Sequence, residues 1–255
     1  MNLKPIILAN IQHAVVVGAG HGIGCALVEA LLKQNSSCQI SATYHNRERA
    51  DALFQLSDND RLQIAQVNLL QTDEIEQWSE KVKSRGLIDL VINAAGVLHN
   101  EEWAPERSLS ELNIPQLDRT FALNSFVTPM LAKFLKPAIL RNGPSAFVAL
   151  SAKVGSIHDN KIGGWYSYRA SKAALNMFVK TIAIEFPRTG LKQCSVLAIH
   201  PGTTETDLSR PFLPNVRHRV WQPSESAANI LSTIEIGSKL GSGLFLNWDG
   251  TELPW

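Results

Sequence analysis

The sequence predicts an α/β fold, a single domain built on a doubly wound parallel sheet of about seven strands with helices on both faces. Strand-like runs alternate with helical patterns along the whole chain, which is the ordering such a sheet produces. Runs such as Ala14-Val15-Val16-Val17 and Leu87 to Asn93 are nearly continuously apolar, as strands covered on both faces must be. With 255 residues, 45% of them hydrophobic, the chain is long enough for one large core and needs no second domain.

Taken in order, the strands are read at 13–17, 38–44, 62–67, 87–93, 146–150, 194–200 and 244–247, and the helices at 22–34, 47–56, 72–83, 114–136, 166–185 and 224–231. The first strand runs into Gly18-Ala19-Gly20-His21-Gly22-Ile23-Gly24. Glycines there permit a tight turn and a close approach of backbone to a pyrophosphate, which the next helix attracts through its free N–H groups and dipole. The same turn would also serve simple packing or S-adenosylmethionine, and its spacing is not the common G-x-G-x-x-G. In the helix at 166–185, Ser171, Ala174, Leu175, Phe178 and Ile182 recur at helical spacing and mark a buried face. Tyr168 and Lys172 then sit one turn apart. A phenol is a poor acid at neutral pH, but a cation held beside it favours the phenolate and brings its pKa toward the working range. Exposed pairs at this spacing also occur merely to support a helix.

Composition removes several classes of function. A net charge of +1 leaves no basic excess for a phosphate backbone, so nucleic acid is not an expected partner. The start, MNLKPIILANIQHAVVVGAG, is interrupted by Lys4, Asn10, Gln12 and His13 and has neither a cleavage-like end nor the length of a span, so no membrane is expected and a cytoplasmic location is. Cys25, Cys38 and Cys194 are odd in number and lack metal-ligand spacing, which suits buried reduced thiols and no metal. No Gly-x-Ser-x-Gly elbow occurs, which removes an α/β hydrolase.

Five motifs occur in order on the expected elements: Gly18-x-x-x-Gly22-Ile23-Gly24, Asn93-Ala94-Ala95-Gly96 after the fourth strand, Asn124 in the helix that follows, Tyr168-x-x-x-Lys172, and Pro201-Gly202-Thr203 after the sixth strand. In these, across essentially the whole chain, the sequence resembles the short-chain dehydrogenases/reductases, whose fold is Rossmann-type. The insertion Ser156-Ile157-His158-Asp159-Asn160 and the ending Trp248 to Trp255 look like the C-factor and sniffer-type carbonyl reductases. The resemblance implies hydride transfer between a nicotinamide cofactor and a carbonyl or alcohol. Tyr168 would be the proton donor, Lys172 would hold the ribose and lower the Tyr168 pKa, and Asn124 would orient a water that returns the proton. Gly18, Gly20, His21, Gly22, Ile23 and Gly24 would hold the pyrophosphate, Asn93 to Gly96 would flank the cofactor, and Pro201, Gly202, Thr203 and Thr206 would reach its carboxamide and pyrophosphate. The family commonly forms homodimers or homotetramers through the helices at 114–136 and 166–185.

The second strand ends Thr43-Tyr44-His45-Asn46-Arg47 with no acid to bond the ribose hydroxyls of NAD. NADP is therefore the expected cofactor, with NAD the alternative. Related reductases that prefer NADP usually carry Arg where this chain has His45 and a basic residue where it has His21, so Arg47 is expected to take the 2′-phosphate, unless Arg47 and Arg49 are ordinary exposed charges at a helix start. Asn68 and Leu69 stand where the family has an Asp and an apolar residue against the adenine, and Asn68 offers its amide oxygen.

The family's catalytic Ser falls three residues before a Gly, a place held here by Ala152, with Ser151 one residue early. One residue in a regular strand means the opposite face. A bulge would turn Ser151 inward, Ser156 would replace it, or the site works without serine; Ser151 is the member expected. Residues 201–223 form a long, proline-rich, apolar segment read as a substrate lid, or else a subunit contact, within a domain spanning 1–255. With His99, Trp103, Trp165 and Phe212 as walls, the expected substrate is a modest apolar carbonyl compound. The competing function is a dinucleotide-binding sensor or signalling protein that has lost most catalysis, motivated by Ala152 and the C-factor likeness.

Overall fold

A computed structural model describes residues 3–255. Seven parallel strands, β1 (His13–Val17), β2 (Gln39–Tyr44), β3 (Leu62–Gln66), β4 (Leu90–Asn93), β5 (Ser145–Leu150), β6 (Cys194–His200) and β7 (Leu244–Asn247), form one sheet in the order β3-β2-β1-β4-β5-β6-β7. The helices are α1 (Gly22–Gln34), α2 (Asp51–Phe54), α3 (Thr72–Lys83), α4 (Ile114–Phe121), α5 (Val127–Leu135), α6 (Tyr166–Arg188) and α7 (Pro223–Leu240).

Each apolar strand feeds two cores by alternation. Ala14, Val16, Leu90, Ile92, Val148 and Ile199 join the cluster beneath α1 and α7. Val15, Val17, Val91, Phe147, Ala149 and Val196 join the one beneath α3, α5 and α6. Strand order reverses between β1 and β4, and in sheets of this kind ligands bind beyond the carboxyl ends of the strands at that crevice.

Four elements differ from the sequence reading. The helix expected at 47–56 shrinks to α2, because Arg47 to Ala50 is spent on a turn (Ala50 N–H to Arg47 C=O, 3.1 Å) opened by the Asn46 side chain accepting from Glu48 N–H. The helix at 114–136 is interrupted by a π-turn, Ala122–Phe126, between α4 and α5. The strand at 87–93 starts only at Leu90, since Leu87 is 56% exposed and Ile88 merely bridges Ile139. The helix at 224–231 runs on to Leu240, launched by Pro223 and a capping box of Gln222 with Glu225. The three cysteines are buried and free, and among the described residues no helix is long and apolar enough to cross a membrane.

Candidate active site

A cleft of about 1490 Å³ opens over the carboxyl ends of the strands, and one wall is the glycine turn. Gly18 sits at φ +78°, and a Cβ there would lie 2.8 Å from Ala95 N, so the turns after β1 and β4 touch through backbone. Gly22, at φ +57°, faces the Thr206 methyl. Helix α1 begins at His21 without a capping side chain, so its first amides face the cleft unclaimed by the protein. A dinucleotide fits what these residues offer, since uncapped amides meet a pyrophosphate and glycine leaves room for its approach.

Opposite stands α6. Tyr168 and Lys172 both line the cleft and both are buried, at 9% and 4% exposure. Tyr168 packs against Leu98 and Ala152, with Val154, Trp165, Leu208 and Phe212 around them. The Lys172 ammonium lies 5.8 Å from the Tyr168 ring centre and donates 2.9 Å to the Leu150 carbonyl at the end of β5. Burial dominates both groups: it pushes the Tyr168 phenol up and brings the Lys172 ammonium down to about 8. The expectation that Lys172 lowers the Tyr168 pKa is therefore corrected: burial raises it, and the Lys172 ammonium is held by the Leu150 carbonyl.

Asn124 lies on the π-turn, a feature that inserts one residue into a helical ladder and clusters at functional sites. Its Oδ1 accepts from Val97 N–H (2.7 Å), and its Nδ2 donates to the Val97 carbonyl (2.9 Å) and Ser171 Oγ (3.1 Å). A Cβ on Gly96 would sit 3.4 Å from Asn124 Oδ1 and 3.5 Å from Lys172 Nζ, so the backbone after β4 threads between these two side chains.

A family model described as short chain dehydrogenase matches residues 12–216. The chain belongs to the short-chain dehydrogenase family. It is thus a hydride-transfer oxidoreductase, and its likenesses include carbonyl reductases. The dehydrogenase is 28% identical to 1-hydroxy-2-glutathionyl-2-methyl-3-butene dehydrogenase of Rhodococcus sp. (strain AD45), over 94% of this chain and 98% of that one. It is 28% identical to C-signal of Myxococcus xanthus, over 67% of this chain and 94% of that one. The solved carbonyl reductase Sniffer of D. melanogaster superposes with a TM-score of 0.83 at 27% identity, covering 96% of this chain and all of that one.

Most of the residues expected from the dehydrogenase's sequence do meet in the cleft. Gly18, Gly20, His21, Gly22, Ile23, Gly24, His45, Asn68, Leu69, Ala94, Ala95, Gly96, Pro201, Gly202, Thr203 and Thr206 line it with Tyr168 and Lys172. Asn93 and Asn124 stand behind its wall, and Asn93 braces the turn after β4 by accepting from Ala95 N–H and donating to Thr128 Oγ1. Asn68 Oδ1 accepts from Leu70 N–H (3.1 Å), and Thr203 Oγ1 pairs with His218 Nε2 (2.8 Å).

Two further expectations are corrected. Arg47 is outside the cleft, with its guanidinium 3.8 Å over the Phe54 ring and bonded to Asp51. The cation at that end of the cleft is Arg49, beside His21, His45 and Asn46, held 2.6 Å from Asp207. Its hydrogen bond depresses the Asp207 carboxyl, while burial and then Arg49 lower the His21 pKa. Ser151 lines the cleft, but its hydroxyl is spent on α6 and not aimed at the cleft. It continues the alternation of Phe147 and Ala149 toward α6, where its hydroxyl donates 2.6 Å to Asn176 Oδ1. Ser156 donates instead to the Trp255 carbonyl, and Ala152 faces Tyr168.

Arg49, Thr43, Asp207, His200 and His218 also line the cleft and were not singled out from sequence. Arg49 had a signal, a second arginine two residues beyond Arg47, but only the turn before α2 decides which one faces inward. The segment at 201–223 is not irregular throughout. A 3-10 helix, Arg210–Asn215, carries Phe212 toward Trp165 (ring centres 5.0 Å apart), and the Thr204–Trp221 bridge staples the base of the segment.

Proposed function

We propose that this dehydrogenase reduces a modest, largely apolar carbonyl compound, or oxidises the matching alcohol, with NADP as cofactor and Tyr168 as the acid/base. The observation that carries the reading is the setting of Tyr168, a buried phenol beside a buried ammonium, facing a cleft walled by Leu98, Ala152, Trp165, Leu208 and Phe212. A bound nicotinamide dinucleotide supplies or accepts the hydride. The chain itself supplies position and one proton.

At neutral pH a phenol raised by burial is fully protonated, the form needed to donate to a carbonyl oxygen as it gains negative charge. Lys172, its ammonium 5.8 Å from the Tyr168 ring centre, is then the replacement proton source, and its pKa of about 8 keeps it largely charged at pH 7. Asn124, behind the cleft wall and bonded to Val97 and Ser171, is the residue taken to orient the water that returns the proton. His21, His45 and Arg49 are the residues for a 2′-phosphate, Arg49 through its fork of donors and His21 as a neutral ring. Residues 201–223 act as the substrate lid through Leu208 and Phe212, within a single domain. Self-association as a homodimer or homotetramer is supported by the exposure of Phe126 on the π-turn and of Met177 and Ile184 on α6, which light scattering would test.

The reading is tested by following NADPH oxidation with a panel of aldehydes, ketones and quinones for the wild type and Tyr168→Phe. Turnover that is absent, or indifferent to that substitution, counts against it. A second reading, a dinucleotide-binding sensor with little turnover, is favoured by one observation: the Ser151 hydroxyl is spent on Asn176 and Ala152 offers no donor to a carbonyl. That reading expects tight NADPH binding with negligible oxidation across the panel.

A further inference from the structure

Helix α6 carries Tyr168 in its first turn, and its own N-cap residue, Trp165, supplies no capping side chain. Trp165 sits in the left-handed region (φ 51°, ψ 44°), a strained conformation for a non-glycine residue that persists only where its surroundings enforce it. The enforcing group comes from the loop after β4, 61 positions before Ser167. Glu106, 1% exposed, accepts from Ser167 N–H at 3.2 Å through Oε2 and from the Ser167 hydroxyl through Oε1. Its backbone carbonyl accepts from Trp165 N–H at 2.5 Å. Among the described residues no cation pairs with this carboxylate. A buried carboxylate without a counter-ion is costly, and what offsets the cost here is the positive end of α6 and its orphan amides.

The loop that presents Glu106 is itself held. Gln116 of α4 donates to the Ala104 carbonyl at 2.9 Å, and Arg107 N–H donates to Glu111 at 2.7 Å. On the other side Arg169 of α6 ties down the Gly163 and Gly164 carbonyls. The indole of Trp165 is thereby aimed between two rings, edge-on to Tyr168 at 6.2 Å and tilted on Phe212 at 5.0 Å. One residue thus fixes both, its carboxylate holding the turn that bears Tyr168 and its backbone carbonyl holding the aromatic wall beside it.

We propose that Glu106 is a positioning residue, which orients Tyr168 and Trp165 by capping the first turn of α6 from the loop after β4; this rests on the reading of Tyr168 as the proton donor. Its position is outside the cleft lining, so the nucleotide is bound without it. The test compares wild type, Glu106→Gln, Ser167→Ala, Tyr168→Phe and the Glu106→Gln/Tyr168→Phe double variant. NADPH oxidation is followed with 4-nitrobenzaldehyde and 9,10-phenanthrenequinone, together with NADPH affinity and amide hydrogen exchange by mass spectrometry.

Glu106→Gln is expected to raise exchange locally at 165–168 and to lower kcat by about ten- to a hundredfold, the scale of a misplaced catalytic group, with NADPH affinity within about twofold. In the Tyr168→Phe background the same change is expected to cost nothing further, because the residue it orients has lost its proton. Ser167→Ala, which keeps the carboxylate and removes one donor, moves both readouts the same way by less, and decides the matter should Glu106→Gln not fold. Unchanged exchange at 165–168 overturns the proposal, and so does an equal loss of turnover in both backgrounds, which would mark general destabilisation. Unchanged turnover in Tyr168→Phe alone removes the donor reading first, and the proposal with it.

Discussion

Tyr168→Phe keeps the ring packed against Leu98 and Ala152 and removes only the hydroxyl. Turnover is expected to fall by roughly 10²–10⁴-fold, the usual worth of a positioned acid, while fluorescence titration finds NADPH affinity little changed. Arg49 and Arg47 make a sharper pair, being two residues apart with opposite surroundings. Arg49→Ala should weaken NADPH binding by about ten- to a hundredfold, the range for a hydrogen bond to a charged group, and leave NADH binding nearly unchanged. Arg47→Ala should leave both within about twofold, since its partners are Asp51 and the Phe54 ring; calorimetry with both nucleotides distinguishes them. Ser151→Ala tests the corrected serine. It strands Asn176 Oδ1, whose Nδ2 is also without a partner, so urea unfolding should show a loss of about 1–3 kcal/mol while turnover stays within a few fold. A large loss of turnover at unchanged stability would restore Ser151 to the chemistry.

At the level of elements, the sheet and the helices that cover it were largely legible, because β1, β5 and β6 are apolar at every or nearly every position and α1 and α3 are amphipathic over their full lengths. The interrupted helix was not. Nothing in Ala122 to Phe126 breaks a helix by propensity; the π-turn exists because Asn124 is drawn to the Val97 backbone and Ser171, partners far away in sequence. The glycine turn shows the opposite case. A Cβ on Gly24 would lie 2.1 Å from the Gly18 carbonyl, so the first turn of α1 rests directly on the turn that precedes it. Gly24→Ala must move backbone, and the expected outcome is a loss of about 1–3 kcal/mol in thermal or urea unfolding together with weakened NADPH binding.

For the whole molecule, the relevant balance is between burial and charge. His13, 2% exposed at the start of β1, has its pKa lowered to about 4, first by burial and then by Arg85. The unfolded chain takes up this proton near pH 6.5 and the folded one only near pH 4. Unfolded protein therefore binds more protons in that window, and stability is full above pH 6.5 and falls as pH drops toward 4, by about 3 kcal/mol from this group. Urea midpoints between pH 7 and pH 4.5 would measure the fall, and a flat profile would contradict it.

The sheet, the glycine turn, the Tyr168–Lys172 spacing and the family are readable from the residues alone, because strand burial, helical periodicity and short motifs are written in residues close together along the chain. Long-range packing is what sets which arginine lines the cleft, that the Ser151 hydroxyl bonds Asn176 of α6, and that Glu106 caps the helix carrying Tyr168. Each of these depends on a partner tens of residues away or on the exit angle of a turn. A one-residue change of register or a single rotated side chain reverses the assignment while leaving every local pattern intact.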